Sequence, residues 1–384
     1  MKRKIAHFFI DDKFFYAAKR QFESLEDYEN RFFVISAHHQ FKYLDRSSIE
    51  IINPNDLLKY IKDPSFCDIL ILHTLNSIPI HQISEICSNI KVVWLSWGFD
   101  IYNNIFPQYP LIKIRKQHIE SVYPLRVRIR RLWNRMKRKK QELCAYYFGE
   151  GYGKRKEFEN AIQRINYFSG VFPEEYDYLK KNKFFKARYF CFNYVGKSKP
   201  SELNKLSKLG TAIQVGHNGM EWLNHIDVFK RLIKMNLGDR KIICPLSYGN
   251  NSDYTNFVIK EGYRYFHNNF SVLSDFLPID KYKALLDNVG YVVLNVKRQC
   301  GVGNILIGIR RGAKVFFPKD SINYRHFSEM GVKVFSIEED LNEKELNTQL
   351  SDDEIRKNCE LVDAYYNYEE VMKRLINSLN SIFQ

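Results

Sequence analysis

The stretch "YVVLNVKRQCGVGNILIGIRRGAKVFF", residues 291–317, decides the fold class. It begins with an apolar run typical of a buried strand and passes through Arg298-Gln299 and the glycines Gly301 and Gly303. It then continues as apolar turns of helical length and ends in a second apolar run, "KVFF". Strand, helix and strand in this order predict a β-α-β unit with parallel strands.

The same alternation of apolar runs and helix-length segments extends over the whole chain. The runs of the first half are "KIAHFFI", "RFFVIS", "CDILILHTL", "KVVWLSW" and "INYFSGV". Those of the second half are "TAIQVG", "KIICPLSYG", "YVVLNV", "KVFFP" and "VKVFSI". Continuous apolar runs predict parallel strands buried on both faces. The polar, Lys- and Ser-rich stretch 195–210 between the two sets has the composition of a linker.

We therefore expect an α/β protein with two Rossmann-like, doubly wound domains that face each other across a cleft. The expected domains are residues 1–197 and 210–384, with the final helix able to pack back on the first domain. Ligands of such folds bind at the carboxyl ends of the strands, so side chains that follow the apolar runs are the candidates for a site.

The positive charge of the chain is concentrated in one segment. The net charge is +15, and residues 111–156 hold fifteen Lys or Arg against three Asp or Glu. Within "LRVRIRRLWNRMKRKK" (125–140) the apolar residues recur at helical spacing, and cations fill the other face. This pattern favours an anionic membrane surface as partner. A docking helix with a solvated charged face and nucleic acid are the alternatives, although no nucleic-acid motif appears elsewhere, so no nucleic-acid partner is expected.

The cysteines and the N-terminus indicate a reducing compartment. The seven cysteines are scattered and form no C-x-x-C pair, so neither a disulfide framework nor a zinc site is predicted. Asp11 and Asp12 cut short the first apolar run, and no run approaches the ~18 apolar residues that span a bilayer. We expect a cytoplasmic protein that is peripheral on the inner face of the plasma membrane, with no metal and no cofactor.

Two glycine-containing loops of the second half predict an anion site. At the Gly-x-Gly turn the first N–H groups of a helix suit a phosphate, and Arg298 is placed to pair with it; a tight turn with a surface arginine is the alternative. The loop "IQVGHNGMEWLNHID" (213–227) likewise leaves a strand and enters a helix. Its Asn218, Asn224 and His225 are candidate donors to a diphosphate or a base, although single histidines are more often structural.

Three strand ends of the first half carry candidate catalytic groups. "VVWLSWGFDIYNN" (92–104) presents Asp100 just past a strand, where a general base would stand, and Tyr102, which is suited to stacking on a sugar. The alternative for Asp100 is a helix cap. His73 and the pair Asp11-Asp12 follow two other strands, and each of these residues also has a structural interpretation.

With these residues identified, the chain resembles the Fuc4NAc transferases of enterobacterial common antigen synthesis, the TDP-N-acetylfucosamine:lipid II N-acetylfucosaminyltransferases of glycosyltransferase family 56. The resemblance rests on "WGFDIY" (97–102), "VGHNGMEWLNH" (215–225), "PLSYGNNSDY" (245–254) and "RQCGVGN" (298–304), in the family's order. It implies a GT-B fold and inverting, metal-independent transfer of a sugar such as Fuc4NAc. The implied donor is a nucleoside-diphosphate sugar, with a TDP-sugar favoured, and the implied acceptor is a polyprenyl-diphosphate-linked glycan in bacterial surface polysaccharide synthesis.

The resemblance also distributes the candidate residues between donor and acceptor. On the donor side it implies Gly216, Gly219, Asn224, His225, Tyr248, Arg298, Gln299, Gly301 and Gly303, and Asn218 and Asn304 of the same loops complete the predicted set. On the acceptor side it implies Asp100, with His73 and Asp11 as further candidates. His217, Asn218 and Met220 stand where the family usually has Asn, Ser and Asp, and Asn304 stands where Thr is common, which leaves the sugar and the base open.

Two rival functions remain at this point. One is a GT-B transferase with another donor or acceptor. The other is a non-catalytic protein that binds membrane or nucleic acid on a degenerate transferase fold. The presence of Arg298, His225 and Asp100 favours an enzyme.

Overall fold

The computed structural model describes most of the chain, in two compact units. The described residues are 2–37, 40–102, 129–130, 132–133, 136–137, 150–194, 210–247, 252–274 and 288–384. The first unit contains those up to 102, those from 150 to 194 and the C-terminal Tyr366–Gln384, and the second unit contains those from 210 to 365. The predicted linker up to residue 209, most of the basic segment and Tyr248 lie outside the described residues.

The first unit is built on a parallel sheet of seven strands. The strands are β1 (Arg3–Phe9), β2 (Tyr28–Ile35), β3 (Glu50–Ile52), β4 (Ile69–Leu72), β5 (Lys91–Leu95), β6 (Tyr167–Ser169) and β7 (Arg188–Tyr189). Their order in the sheet is β3-β2-β1-β4-β5-β6-β7. The helices before residue 180 are α1 (Phe15–Glu23), α2 (Leu57–Lys62), α3 (Ile80–Ile83), α4 (Glu150–Arg164) and α5 (Pro173–Leu179).

The second unit is built on a parallel sheet of six strands in the order β10-β9-β8-β11-β12-β13. The strands are β8 (Ala212–Val215), β9 (Ile242–Pro245), β10 (Phe270–Leu273), β11 (Val289–Val293), β12 (Lys314–Phe317) and β13 (Phe335–Ser336). The helices are α6 (His225–Leu232), α7 (Ser252–Phe266), α8 (Val302–Arg310), α9 (Ile322–Glu329), α10 (Glu343–Leu346) and α11 (Asp352–Tyr366).

The last helix, α12 (Tyr368–Asn380), belongs to the first unit. Its Leu375 and Leu379 are fully buried in the core cluster that also contains Ile5 and Val93 of the sheet. Ser378 Oγ accepts a hydrogen bond of 2.9 Å from the Cys191 amide, just after β7. Apolar burial and a backbone hydrogen bond thus fix the C-terminal end of the chain to the sheet that its N-terminal end begins.

The strand order of each sheet reverses once. The reversal lies between β1 and β4 in the first unit and between β8 and β11 in the second. Because loops that leave neighbouring strands at a reversal run to opposite faces of the sheet, a crevice opens between them at the carboxyl ends. Each unit therefore presents one place where ligand-binding residues are expected.

The predicted α/β class with two doubly wound sheets is confirmed, since every strand pair in both sheets is parallel. All ten apolar runs of the sequence contain a strand. The strands without a predicted counterpart are β3, β7 and β10, each at the edge of its sheet. Among the described helices, none has both the length and the apolar content to cross a bilayer.

Candidate functional site

The glycine turn after β11 allows the loops of the second unit to touch. Gly301 has φ +73° and precedes the first residue of α8. A Cβ at Gly301 would lie 2.9 Å from the Cε1 and Nδ1 atoms of the His217 imidazole. Glycine is required here both by the left-handed backbone and by this approach. The turn predicted from the sequence therefore meets the loop that leaves β8.

A second glycine opens the loop after β8. Gly216 has φ +72°, and its N–H donates to the Val293 carbonyl of β11 at 3.0 Å. A Cβ at Gly216 would lie 2.3 Å from His225 Nε2. The glycine thus allows the imidazole of His225, at the start of α6, to pack against the backbone of the turn at Gly216.

Asn224 connects the two loops. It precedes α6 in the left-handed conformation, with φ 46° and ψ 46°, which asparagine tolerates better than most residues. Its Nδ2 donates to the Trp222 carbonyl at 3.0 Å and to the Asn295 carbonyl, beyond β11, at 3.2 Å. The predicted Asn224 is therefore buried as the link between the loops of β8 and β11.

The tautomer of His225 follows from its partner Tyr254. The Tyr254 hydroxyl accepts from the His225 amide at 3.1 Å and lies 3.0 Å from His225 Nδ1. In the tautomer in which this hydroxyl donates its proton to Nδ1, the imidazole proton is on Nε2. Burial lowers the pKa of His225 to about 3, helped by the nearby His217, while an interaction with the Asn218 backbone acts in the opposite direction.

In this tautomer the neutral imidazole of His225 presents an N–H donor in the crevice between the two loops. Its side chain is fully buried, and Nε2 has no hydrogen-bond partner of good geometry among the described residues. A buried donor without a partner costs about 1–3 kcal/mol, and a ligand oxygen would remove that cost. This is the feature of the second unit that points most directly to a missing acceptor atom.

Arg298 lies beside the same loops. Its guanidinium stacks on the Trp222 ring at 4.9 Å from the centroid. Burial, and after it the charge of Arg298, lowers the pKa of His217 to about 4. Asn218 donates through Nδ2 to His217 Nε2 at 3.0 Å, and its Oδ1 accepts from the Met220 amide at 2.9 Å. Arg298, His217 and Asn218 thus belong to one cluster, with the cation held by an aromatic face.

The positions of the remaining donor-side candidates say less about a ligand. Gln299 is buried in the turn before α8, and Asn304 is partly buried in the first turn of that helix. The Gly219 carbonyl accepts from Thr255 Oγ1 of α7 at 3.4 Å. A Cβ at Gly303 would meet nothing within 4 Å, so sterics do not require glycine there. Tyr248 lies outside the described residues.

In chemical terms the crevice of the second unit is suited to an anion. It combines the N-terminus of α8, the guanidinium of Arg298 and the Nε2–H of His225, and all three are suited to phosphate oxygens. These groups come from loops that meet at the strand-order reversal, where a ligand is expected. Among the described residues, no three or more His, Cys, Asp or Glu side chains converge as a metal site.

In the first unit, Asp100 is a buried carboxylate with three hydrogen-bond donors. Ser96 Oγ donates to Oδ1 at 2.6 Å, and Trp94 Nε1 and the Leu75 amide donate to Oδ2 at 2.8 and 3.3 Å. Burial raises the pKa of Asp100, against the effect of these bonds. The assignment of Asp100 as general base stays a prediction, and the three donors indicate that it anchors the turn after β4.

That turn is strained. Thr74 has φ 126° and ψ 152°, a conformation that is unfavourable for a β-branched residue. Its carbonyl accepts from the Ser77 amide at 3.1 Å and from Ser77 Oγ at 2.7 Å. The next amide along the chain, that of Leu75, donates to Asp100 Oδ2. A strained turn pinned by a buried carboxylate at the end of a central strand is typical of a functional site.

Asp11 is also engaged by backbone donors. Its carboxylate accepts from the amides of Lys42, Tyr43 and Leu44 at 2.6, 2.9 and 3.2 Å. It lines a pocket of 650 Å³ that is formed by residues just past β1, β2 and β4. Asp11 is the titratable side chain among the described residues that line this pocket.

His73 lies in a buried chain of hydrogen bonds. Its Nδ1 is 2.7 Å from the Tyr194 hydroxyl and its Nε2 is 3.1 Å from His7 Nδ1. His7 Nε2 is 3.0 Å from Asn30 Oδ1, and Asn30 Nδ2 donates to the Phe22 carbonyl. Burial lowers the pKa of His7 to about 3 and that of His73 well below its ordinary value. Both rings are therefore neutral, and Tyr194 donates to His73, which donates to His7, which donates to Asn30.

Several residues of these sites were not predicted from the sequence. Trp222 and Tyr254 lie within the motifs quoted above, but neither residue type alone indicated a partner for Arg298 or His225. His7, Asn30 and Tyr194 are contributed by three separate strands or loops, and no local pattern connects them. The aromatic Tyr102, predicted to stack on a sugar, is buried and instead donates to Glu175 Oε1 at 2.5 Å.

Solved structures with the same architecture are glycosyltransferases. Alr3699/HepE from Anabaena, in complex with UDP and glucose, matches with a TM-score of 0.61 and 10% identity over 99% of this chain and 100% of that one. The lipopolysaccharide outer core galactosyltransferase WaaB matches with a TM-score of 0.58 and 10% identity over 99% of each chain. Identities this low establish the fold alone, which is GT-B.

The sequence itself matches a family in its second half. Residues 175–363 fit the model of the 4-alpha-L-fucosyltransferase family, glycosyl transferase group 56. The matched range begins at Glu175 in α5 and runs through both glycine loops of the second unit to α11. It therefore contains every donor-side residue predicted above. This match and the two doubly wound sheets together identify the chain as a glycosyltransferase with a GT-B fold whose residues 175–363 are similar to group 56.

Proposed function

We propose that the protein transfers a deoxy or acetamido sugar, such as Fuc4NAc, from a nucleoside-diphosphate donor to a hydroxyl of a polyprenyl-diphosphate-linked saccharide. The transfer inverts the anomeric centre and needs no metal. The observation that carries the donor part is the buried Nε2 of His225, which has no hydrogen-bond partner of good geometry among the described residues and lies near Arg298 and the start of α8. A TDP-sugar is favoured by the resemblance to the Fuc4NAc transferases.

The donor-side residues suit the charge changes of the reaction. The acceptor oxygen attacks the anomeric carbon while the bond from that carbon to the diphosphate oxygen breaks, and the electron pair of that bond leaves with the phosphate. Negative charge then grows on the diphosphate, where the α8 N-terminus, Arg298 and His225 supply donors that are already oriented. Because burial keeps His225 neutral, it acts as a hydrogen-bond donor to the leaving group, without a full charge.

Nucleotide binding gives the first test of this proposal. In a panel of nucleoside diphosphates, the one that the reaction releases as product should raise the unfolding midpoint of the protein. A ligand that binds only the native state stabilises that state. Incubation with the corresponding nucleotide sugar and a polyprenyl-diphosphate-linked saccharide should then release that nucleoside diphosphate. If no member of the panel shifts the midpoint and no donor is consumed, the protein is not a nucleotide-sugar transferase.

The acceptor part of the proposal is supported by the described residues of the basic segment. Ile129, Leu132, Trp133 and Met136 are helical and between 54% and 68% exposed. Exposed apolar residues among cations match a helix that lies in the interface of an anionic membrane. A lipid-linked acceptor would place the enzyme at such a surface, on the cytoplasmic face.

Vesicle binding tests this membrane association. Replacing Arg126, Arg128, Lys139 and Lys140 by Gln should release the protein from anionic vesicles, because each cation near the surface contributes about 1 kcal/mol. The matched control replaces Lys180, Lys181, Lys183 and Lys186, four exposed cations of the first unit, and loses the same charge. Co-sedimentation of wild type should also weaken with salt. Equal loss of binding in both variants would mean that net charge, not this segment, attracts the membrane.

A further inference from the structure

We propose that Asp12 is the general base that takes the proton from the acceptor hydroxyl, an inference that rests on the proposed function. Asp12 lies on the loop that follows β1, the strand beside the reversal of strand order in the first unit. No motif of the sequence resemblance contains it. A general base needs an oxygen or nitrogen atom that can still accept a hydrogen bond from the substrate. The carboxylates and histidines at these strand ends differ in this property.

The three candidates predicted from the sequence are already engaged. The carboxylate of Asp100 is buried and accepts from three donors. The carboxylate of Asp11 accepts from three backbone amides, which fixes the 42–44 segment to the end of β1. Both ring nitrogens of His73 are used within the buried chain. Of the about four acceptor positions of a carboxylate, three are occupied in Asp100 and three in Asp11, and the neutral ring of His73 has no lone pair left for a substrate proton.

Asp12 retains an available oxygen. Its side chain is partly exposed, and among the described residues the Phe14 amide donates to Oδ1 at 3.0 Å. This bond, together with a weaker interaction with the Lys13 amide, holds the carboxylate in a tight turn before α1, and Oδ2 accepts no hydrogen bond of good geometry from the described residues. Burial also raises the pKa of Asp12, and the negative charge of Asp11 adds to the shift. The carboxylate is therefore a better proton acceptor than an ordinary exposed aspartate.

The surroundings of Asp12 suit a sugar. The rings of Phe14, Trp97 and Tyr194 lie together, with centroids 5.3 Å apart for Phe14 and Tyr194 and 5.5 Å apart for Phe14 and Trp97. Phe14 is 36% exposed, and the other two rings are partly exposed. Aromatic faces pack against the C–H faces of sugar rings, while a carboxylate beside them accepts a hydroxyl proton. The three rings and Asp12 thus combine apolar stacking with a base.

The hydroxyl of Tyr194 is oriented by the buried chain. Because it donates its proton to His73 Nδ1 at 2.7 Å, its oxygen faces other partners as an acceptor. Burial raises the pKa of Tyr194 well above its ordinary value, and the negative charges of Asp100 and Asp12 add to the shift. Tyr194 is therefore a positioning residue that stays protonated, and Asp12 is the group near it that can receive a proton.

The proposed step balances as a single displacement. The proton of the acceptor hydroxyl moves to Asp12 Oδ2, and the freed lone pair of that oxygen forms the bond to the anomeric carbon. The bond between that carbon and the diphosphate breaks, and its electron pair leaves on the diphosphate. Asp12 later releases the proton to water. No oxidant, reductant or further reactant is needed.

Asp12→Asn tests the inference without removing the turn, because the amide oxygen can still accept from the Phe14 amide. We expect kcat to fall roughly 10²–10⁴-fold, the typical contribution of a general base, while the product nucleoside diphosphate still raises the unfolding midpoint as in wild type. The matched control is Asp63→Asn, since Asp63 is an exposed aspartate of the first unit that accepts from the Ser65 amide at 2.8 Å in the same kind of turn. This control should keep wild-type kcat.

A pH profile distinguishes a base from a merely structural residue. In wild type, kcat should fall on the acidic side as Asp12 becomes protonated. Lys13 and Asp11 on the same loop and Tyr194 beyond β7 are the charged or titratable groups near it. Asp12→Glu should keep an acidic limb and recover part of the lost kcat, whereas Asp12→Asn should lose the limb.

The possible failures are distinguishable. Normal turnover of Asp12→Asn, with wild type active on the same donor and saccharide, overturns the assignment of Asp12 and leaves the proposed function intact. An equal loss of kcat in Asp12→Asn and Asp12→Glu, with both unfolding midpoints lowered, also overturns it, because the residue would then be structural. A wild-type protein that binds no nucleotide and consumes no donor overturns the proposed function, and the role of Asp12 with it.

Discussion

Replacing Glu175 by Gln should change how the stability of the first unit depends on pH. Glu175 lies in the first turn of α5 and is fully buried. Tyr102 donates to its Oε1 at 2.5 Å, and the Phe172 amide donates to its Oε2 at 3.1 Å. Burial raises the pKa of Glu175 from 4.5 to about 7, against the effect of these hydrogen bonds. The carboxylate is thus held where its charged form is unfavourable.

The direction and the size of the effect follow from this shift. Because the pKa is higher in the folded state, the unfolded chain loses the proton first, and folding becomes less favourable as pH rises from 4.5 towards 7. A difference of about 2.5 pKa units corresponds to roughly 3 kcal/mol, all of it lost above the folded pKa. His7 acts in the opposite direction, since its lowered pKa removes stability as pH falls from 6.5 to about 3. Only the difference between wild type and Glu175→Gln isolates the glutamate.

Native-state hydrogen exchange measures this difference within the first unit. At each pH between 5 and 8 the exchange rates of the β5 amides are compared between wild type and Glu175→Gln, so the intrinsic exchange rate cancels. The stability of the variant relative to wild type should rise with pH by roughly 3 kcal/mol. The control is Glu26→Gln, an exposed glutamate of the same unit, which should give parallel profiles. A pH-independent offset for Glu175→Gln would refute the reasoning.

Four further substitutions test the two candidate sites. Arg298→Ala should weaken donor binding by about 1.5–3 kcal/mol, the value of a charge-assisted hydrogen bond, and unchanged rates at subsaturating donor would exclude this arginine from the site. Gly301→Ala should disrupt the contact with His217 and lower nucleotide affinity, while Gly303→Ala should leave stability unchanged, as thermal shifts with and without nucleotide would show. Asp100→Asn should lower stability by about 1–3 kcal/mol and keep the acidic limb of the pH–rate profile; a large loss of kcat at unchanged stability would instead support its original assignment as base.

How far the fold could be predicted depended on the position of each strand in its sheet. Nine of the ten predicted strands lie inside their sheets, and the tenth, β13, is an edge strand whose two residues are buried, so all ten appear in the sequence as apolar runs. The edge strands β3 and β7 have three and two residues, and β7 is exposed along its whole length. An edge strand is paired on one side only, so its sequence need not be apolar, and no periodicity was available to predict it.

The donor site could be predicted further than the acceptor site because its residues are local. The turn from β11 into α8 and the loop from β8 into α6 each place glycines and polar residues within about ten positions. A strand, a glycine turn and a helix start are enough to predict an anion site at such a place. The parts that were missed, such as Tyr254 as the partner of His225, come from a different helix, 29 residues away in the sequence.

The acceptor side shows why a polar residue at a strand end does not reveal its own role. Asp100, Asp11, Asp12 and His73 all follow apolar strands, and the sequence offers no criterion to separate them. Their roles depend on donors from elsewhere in the chain: the Leu75 amide lies 25 positions from Asp100, and Tyr194 lies 121 positions from His73. A general base needs a lone pair that the fold has left available, and that property depends on all neighbouring loops together. Asp12 meets this condition better than the other three because, within the described part of the chain, the one hydrogen bond of good geometry that it accepts comes from the Phe14 amide, two positions along the chain.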